Sequence, residues 1–400
     1  MFRVTKRAQN IEYAIRDVVG LAEKLEANGR KITYLNIGDP ARFDFVTPIH
    51  IRRALKKAVD EGAHWYSSFG GLPELREAIC EKEKKVNAVE ISPGNVIVTQ
   101  GVSEGIQMLI ASIIEDNGDE FLVPGPAYPP YVSYVKFFGG KPVTYKTSEE
   151  SGWHPDIDDL RSKITSKTRG IVVINPNNPT GALYPEKIVK QIVDLAGENN
   201  LLLISDEIYS GITYRERFVS ISHIARDVPV VGLNGFSKTY FITGWRLGYM
   251  YFYDHDGKLR DIREGVEKQA RIRLCASTPV QKAGVAALKG PQDHVTEMVN
   301  KLRERRDYTL KRISEIDGIS CVKPEGAFYI FPKIEDVCAR WNTDEAFAGQ
   351  LLEETGILVV HGSGFDPTYG SGHFRAVTLP PIETLEKVFD LLEKFMSRKG

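Results

Sequence analysis

The stretch Gly232–Tyr249, GLNGFSKTYFITGWRLGY, places one lysine between two chemistries. As GLNGFSKT it approaches G-x-x-x-x-G-K-[ST], a loop whose backbone N–H groups cradle a nucleotide's phosphates while the lysine reaches for them. As SKTYFITGWRLGY it surrounds an amine that bonds covalently to an aldehyde. Three features weigh against a nucleotide. Ser237 stands where a second glycine must let the backbone wrap a phosphate. The strand-like LLLISDE, which would supply a metal-binding acid at Asp206, comes before the loop, whereas phosphate-loop enzymes usually run the other way. The residues after Lys238, TYFITGW, are aromatic, β-branched and broken by Gly244, a poor start for the helix such a loop requires.

The covalent reading makes its own demands. An amine attacks an aldehyde only when neutral, and an ordinary lysine is almost wholly protonated at pH 7. It therefore needs a desolvated or electropositive site, or a ready-made imine. Pyridoxal phosphate supplies the imine, and asks for an anion hole, a carboxylate for its ring nitrogen, a partner for its phenolic oxygen and a flat wall. Candidates exist for each. VIVTQGVSEG runs as a strand through Gly101 into a helix starting near Ser103, a turn that aims backbone N–H groups at a phosphate, or an ordinary strand–helix turn. Asp206 closes its strand, where open α/β sheets place ligands; it could hold a pyridinium proton or a metal. Tyr209 follows three residues later. Tyr128 in GPAYPPY offers a stacking face, or packs in its loop. Arg246, eight residues past Lys238, could contact a phosphate or form a surface ion pair.

These residues need a scaffold. VIVTQG, EFLVPG, PVTYK, GIVVINP, LLLISDE, PVVGLNG and RLGYMYFY are short apolar runs, mostly without alternation, as expected of strands buried on both faces. Helical stretches lie between several of them, among them SEGIQMLIASIIED with its stripe Ile106, Leu109, Ile110, Ile113, Ile114. The alternation predicts a doubly wound, mostly parallel α/β domain over residues 48–285. A smaller α+β domain is expected from residues 1–47 together with 286–400. It contains one amphipathic helix over the first ~30 residues (Ile11, Tyr13, Ala14, Val18, Val19, Leu21, Leu25), the strands AFYIFPKI and FRAVTL, and a final helix IETLEKVFDLLEKFM. The 400 residues, 42% hydrophobic and 26% charged, suffice for such a pair. A net charge of -1 offers no field for nucleic acid or anionic membrane, which favours small-molecule partners. Cys80, Cys275, Cys321 and Cys338 are scattered without metal-ligand spacing, the usage of a reducing cytoplasm, and the start lacks the apolar core of a secretory signal. The apolar run IQMLIASII is too short to span a bilayer.

Taken together, SKTYFITGWRLGY, NPNNPTG, SDEIY and GAFYIFP, in an order that runs nearly end to end with LNIGDP, YSSFGGLPELREAI, VPGPAYPPY and FRAV, resemble the fold-type-I, class I/II aminotransferases, the archaeal alanine aminotransferases most of all. The resemblance implies a pyridoxal-phosphate enzyme in which Lys238 forms the Schiff base and shuttles a proton, and Asp206 pairs with the ring nitrogen. Tyr209 and Asn178 would bond the phenolic oxygen and Tyr128 would stack on the ring. Gly101, Val102, Ser103 and Arg246 would bind the phosphate. It further implies that Arg375 grips the substrate α-carboxylate with Gly38 beside it, and that Tyr66 reaches the neighbouring subunit's phosphate in a homodimer. In one place the pattern departs: many relatives carry a phosphate-binding serine three residues before the lysine, and here that residue is Gly235, with Ser237 a substitute two residues on.

The expected reaction is ping-pong transfer of an amino group from an L-amino acid, alanine first, to a 2-oxo acid, 2-oxoglutarate first. Aspartate or aromatic donors, and β-elimination at carbon–sulfur bonds, are the alternatives. A carboxylate clamp argues against decarboxylation. A regulatory DNA-binding role lacks a basic patch or an added helix-turn-helix. An acidic substrate would need another cation, for which Arg42, Arg271 and Arg273 are the candidates.

Overall fold

The runs rich in valine, isoleucine and leucine form strands, and all seven enter one sheet. A computed structural model describes residues 2–9, 11, 14–115, 118–215 and 217–398; Tyr13 of the expected N-terminal stripe lies outside them. In chain order, β1 (Thr33–Tyr34) is followed by β2 (Val96–Thr99), β3 (Glu120–Gly125), β4 (Lys141–Ser148), β5 (His154–Pro155), β6 (Thr168–Ile174), β7 (Leu202–Asp206), β8 (Val230–Gly235) and β9 (Gly248–Tyr253). The order across the eight-stranded sheet is β2-β9-β8-β7-β6-β3-β4-β5. Strands β4, β3, β6, β7 and β8 are mutually parallel; β9 runs against β8 and β2, and β5 against β4.

Helices cover both faces, which is why the strands are apolar throughout. Val172 and Ile174 of β6 pack on one side with Ile106, Leu109 and Ile110 of the helix Val102–Ile113. Ile171 and Val173 point the other way, to Val189, Ile192 and Val193 of the helix Glu186–Glu198. Each such side chain taken fully from water contributes about 1.5–3 kcal/mol, so the sheet edge that carries the site is held rigidly from both sides.

The rest of the chain builds small sheets around aromatic residues. β10 (Ile319–Ser320) pairs with β12 (Lys333–Ile334), and β1 pairs in parallel with β13 (Ile357–Leu358). β11 (Tyr329–Ile330), β15 (Phe374–Val377) and β14 (Val360–His361) form a three-stranded sheet with β15 central. Helices Asp293–Ser314 and Ile382–Ser397 bury Leu302, Ile313, Leu385, Val388, Phe389 and Leu392 against it. AFYIFPKI, expected as one strand, is split into β11 and β12 because Pro332 has no N–H to continue a ladder.

The expected single N-terminal helix is also divided, into Lys6–Gln9, Ala14–Asp17 and Val19–Ala27. Val18, Val19 and Gly20 are weak helix formers, and the bond from Val18 N–H to Ala14 O is stretched to 3.5 Å at the second break. Among the described residues no helix is long and apolar enough to cross a membrane, and no cluster of three or more His, Cys, Asp or Glu could hold a metal ion.

Candidate active site

Five strands release their functional residues at the same edge. Asp206 ends β7; β8 stops at Gly235, three residues before Lys238; β6 stops four before Asn178; β3 stops three before Tyr128; and β2 leads through Gly101 into a helix. This is the edge where a parallel sheet leaves room for ligands. A cavity of about 480 Å³ opens there, lined by Gly38, Val102, Ser103, Tyr128, Asn178, Asp206, Tyr209, Lys238, Arg246 and Arg375, ten of the twelve residues expected at a site. The small sheet closes it with Arg375 and Tyr329, and the segment after β1 adds Ile37, Gly38 and Asp39.

At the cavity's anion end the backbone is pinned. Gly101 has φ +78, a left-handed conformation that suits glycine, and caps the helix beginning at Val102. In that first turn the Glu104 N–H bonds back to the Gly101 carbonyl at 3.2 Å, while those of Val102 and Ser103 precede the first intrahelical bond. Gly101 itself is not a wall residue, yet a Cβ there would lie 2.5 Å from Nη2 of Arg246, so the guanidinium lies directly against the turn. Ser237 is buried at the wall. A Cβ on Gly235 would sit 3.1 Å from the Leu247 carbonyl oxygen, which explains why a larger residue is unwelcome at that position. After Lys238 the chain makes only the short 3-10 turn Thr243–Trp245, not the helix a phosphate loop needs.

Lys238 donates from Nζ to the Gly38 carbonyl at 2.7 Å. Burial pushes its amine down to about 8; Asp39 opposes this, Arg375 and Arg246 add to it, and Asp206 opposes it more weakly. Asp206 is buried, and burial pushes its carboxyl up to about 6, against the Tyr131 hydroxyl bonding Oδ2 at 2.8 Å and the Ile208 N–H bonding Oδ1 at 3.2 Å. An acid and an amine thus share one poorly hydrated chamber.

Arg375 is fully buried, its guanidinium carbon 4.5 Å from the Tyr329 ring centre and 4.8 Å from that of Phe365. It donates to Asn178 Oδ1 at 2.8 Å and to the Asn36 carbonyl, while its Nε has no partner. It joins no ion pair among the described residues. A buried cation without an anion is costly, which makes Arg375 a candidate to receive an anion entering the cavity. Tyr209 does not bond Asn178: its hydroxyl meets that of Tyr329 at 2.7 Å, and burial pushes its phenol well above the ordinary range.

Four cavity or near-cavity residues were not singled out from sequence: Tyr131, Tyr329, Asp39 and Thr243. All four sit inside segments already notable for their order, GPAYPPY, GAFYIFP, LNIGDP and SKTYFITGWRLGY, but nothing local marks which atom each would meet. Tyr66 lies elsewhere, 78% exposed; Trp65, Ile272 and Leu274 are also exposed. None of the three extra arginines lines the cavity. Arg42 lies 3.7 Å from Asp39, Arg271 pairs with Glu267 at 3.3 Å, and Arg273 pairs with Glu104 at 3.5 Å.

The family model for aminotransferase class I and II matches residues 30–392. Glutamate-pyruvate aminotransferase AlaA of Haemophilus influenzae is 38% identical, over 99% of this chain and 99% of its own. Alanine aminotransferase of Mycobacterium tuberculosis is 39% identical, over 99% of this chain and 92% of its own. Among solved structures, alanine aminotransferase from Pyrococcus furiosus superposes with a TM-score of 0.96 at 54% identity, covering 99% of this chain and 100% of the other.

Proposed function

The chain belongs to the aminotransferase class I and II family and is a transaminase; on that premise we propose that it exchanges the amino group of alanine with 2-oxoglutarate, using pyridoxal phosphate held at Lys238. The observation that carries the substrate class is Arg375, a buried guanidinium lacking an anion and facing the same cavity as the amine. The donor set fits the cofactor: a glycine turn with open N–H groups beside Arg246 for its phosphate, Asp206 for its ring nitrogen, and Tyr128 at the wall for its ring face. When bound, pyridoxal phosphate supplies an aldehyde that condenses with amines and a ring that draws electrons from the substrate's Cα.

The protein's part follows from its own groups. Asp206, as a carboxylate, would hold the ring nitrogen's proton and keep the ring cationic. Tyr209 and Asn178 would hold its phenolic oxygen. Arg375, with the Gly38 backbone beside it, would clamp the substrate carboxylate and so orient its Cα–H for removal. Lys238 Nζ then takes that proton and gives it back. Fixing the carboxylate in this way spares the Cα–carboxylate bond. The relatives named for alanine and for glutamate with pyruvate support the proposed pair. We assign the division into a large unit, 48–285, and a smaller one, 1–47 with 286–400, to the same reading. We also infer a homodimer, in which Tyr66, 78% exposed and outside this chain's own cavity, would serve a second subunit's phosphate. The four free cysteines accord with a cytoplasmic protein.

The test is a half-reaction panel. Single amino acids are added to the cofactor-loaded protein while the absorbance of the lysine-bound form is followed. Alanine and glutamate should each abolish it, alanine with an equivalent of pyruvate. If alanine leaves the spectrum unchanged while aspartate or an aromatic amino acid converts it, the assigned pair is wrong. Lys238→Ala should leave no protein-linked absorbance.

A further inference from the structure

Lys238 is surrounded by more than its own segment. Its Nζ donates to the carbonyl of Gly38, whose neighbour Asp39 also faces the cavity. The Asp39 side chain is 23% exposed and does three things. Its Oδ1 accepts from Ala41 N–H at 3.2 Å, capping the turn Pro40–Arg42, and from the Thr243 hydroxyl at 2.6 Å. Its Oδ2 lies 3.7 Å from Arg42 Nε. Thr243 in turn receives at its carbonyl a 2.9 Å bond from Arg246 Nη1. The result is a closed circuit: Lys238 to Gly38, along the chain to Asp39, across to Thr243, on to Arg246, and back along the segment that bears Lys238. Gly38 packs closely there, since a Cβ at that position would lie 2.2 Å from the Tyr329 hydroxyl and 2.8 Å from the Phe328 ring.

We propose that Asp39 is a positioning residue for Lys238: fastened to Thr243, it fixes the Gly38 carbonyl against the lysine amine and turns a negative charge toward that amine.

The charges around the lysine give the reason such a residue is needed. Two guanidiniums, Arg375 and Arg246, and two carboxylates, Asp39 and Asp206, act on Nζ; the Tyr209 and Phe328 rings lie 6.0 and 5.9 Å from it. On the reading above, on which this inference rests, Asp206 is committed to the cofactor's ring nitrogen, and the substrate and phosphate occupy the two arginines. Asp39 is then the anion left to stabilise an ammonium at Nζ after the amine has taken the substrate's proton. Of the charged groups acting on Nζ, Asp39 also has the largest influence.

The test begins with the protein stripped of cofactor. Pyridoxal phosphate is offered across a pH series, trapped with borohydride, and the Lys238 peptide is quantified by mass spectrometry in wild type, Asp39→Asn and Thr243→Val. Asp39→Asn keeps an oxygen for Thr243 and Ala41 and removes only charge, so the labelling inflection should fall by about 1 pH unit, a roughly tenfold change in the neutral fraction below it. Thr243→Val keeps the charge and removes the tie, so a smaller fall in the same direction is expected. In the loaded enzyme Asp39→Asn should lower kcat for alanine more than it changes KM. An unmoved inflection in Asp39→Asn overturns the proposal; if that variant does not fold, an unmoved inflection in Thr243→Val does so. Absence of label on Lys238 in wild type would instead remove the parent reading, which keeps the two failures apart.

Discussion

Asp206→Asn, made in the cofactor-free protein, should change how stability depends on pH. Burial raises the folded-state carboxyl from 3.8 to about 6. The folded protein therefore holds a proton on Asp206 over a range in which the unfolded chain has released it. Where the native state binds more protons, stability falls as pH rises. Asp206 should thus cost nothing below pH 4, progressively more between pH 4 and 6, and a constant amount above. A shift of about two units at about 1.4 kcal/mol each sets that amount near 3 kcal/mol, an order-of-magnitude figure for so buried a group. Asparagine has no proton to release and can still accept the Tyr131 hydroxyl. The difference in unfolding free energy, variant minus wild type, should therefore climb by about 3 kcal/mol from pH 4 to pH 7.

Urea unfolding of both proteins at each pH, taken as a difference, cancels the other carboxylates that titrate in the same window. On the proposed reading, loading pyridoxal phosphate would supply a cationic N–H beside Asp206. That partner lowers its pKa toward the ordinary range and should flatten the wild-type dependence. A difference that stays level across pH 4–7 without cofactor would refute the claim that this carboxylate is held protonated by burial.

Other outcomes can be checked alongside. Glu207, fully buried next to Asp206 in sequence and facing Glu83, has its carboxyl raised by burial and by that neighbour, although the Ser205 and Ser220 hydroxyls bond it at 2.9 and 2.7 Å. By the same sign argument, wild type should lose stability as pH rises past the ordinary glutamate range, and Glu207→Gln should lose less, as read by urea midpoints. Arg375→Lys keeps the charge but not the planar fork held between two rings; kcat/KM for alanine should fall by about 30-fold or more, roughly 2 kcal/mol, in steady-state assays. If Tyr66 serves the partner's phosphate, mixing inactive Tyr66→Ala and Lys238→Ala chains should regenerate activity in hybrid dimers, because one site then carries both defects and the other none. Mixtures as inactive as their components would show that Tyr66 does not serve the partner's site.

Much of this was readable in the sequence, for a physical reason. Lys238, Asp206, Asn178, Tyr128 and Gly101 each follow a strand by at most four residues, so the fold of the sheet brings them together once the strands are recognised. Apolar runs buried on both faces are among the plainest signals a chain carries. What could not be read were bonds closed over long distances. Lys238 meets Gly38 two hundred residues away, Tyr131 meets Asp206 across 75, and Tyr209 meets Tyr329 across 120. No periodicity encodes such pairs; they depend on how the aromatic small sheet settles over the large one. The same limit explains Asn178 and Tyr209. Both residue types suit hydrogen bonding, but their partners in the protein, Arg375 for Asn178 and Tyr329 for Tyr209, are again pairings closed over long distances. The N-terminal helix failed for a different reason, since a hydrophobic stripe says which face is buried but not whether Val18, Val19 and Gly20 will carry a helix through.

The chemistry of the chamber follows from a single cause acting on opposite charges. Removing water favours the neutral form of every group, so it raises the acid and lowers the amine. Free in water, the two side chains titrate nearly seven units apart; here Asp206 is brought to about 6 and Lys238 to about 8. Neither shift helps the fold, because each charge formed inside the cavity must be offset by a partner that the protein alone only partly provides. Arg375 presents the same imbalance with the opposite sign, a cation kept buried for an anion that arrives from outside. A cofactor bearing a phosphate and a basic ring, together with a substrate bearing a carboxylate and an amine, supplies the missing partners one by one. The site is therefore least stable when empty, and part of the binding energy of its ligands is the relief of charges the fold holds in the wrong solvent. Ligand-induced stabilisation should accordingly be larger in wild type than in Asp206→Asn or Arg375→Lys by more than the lost contacts alone would give.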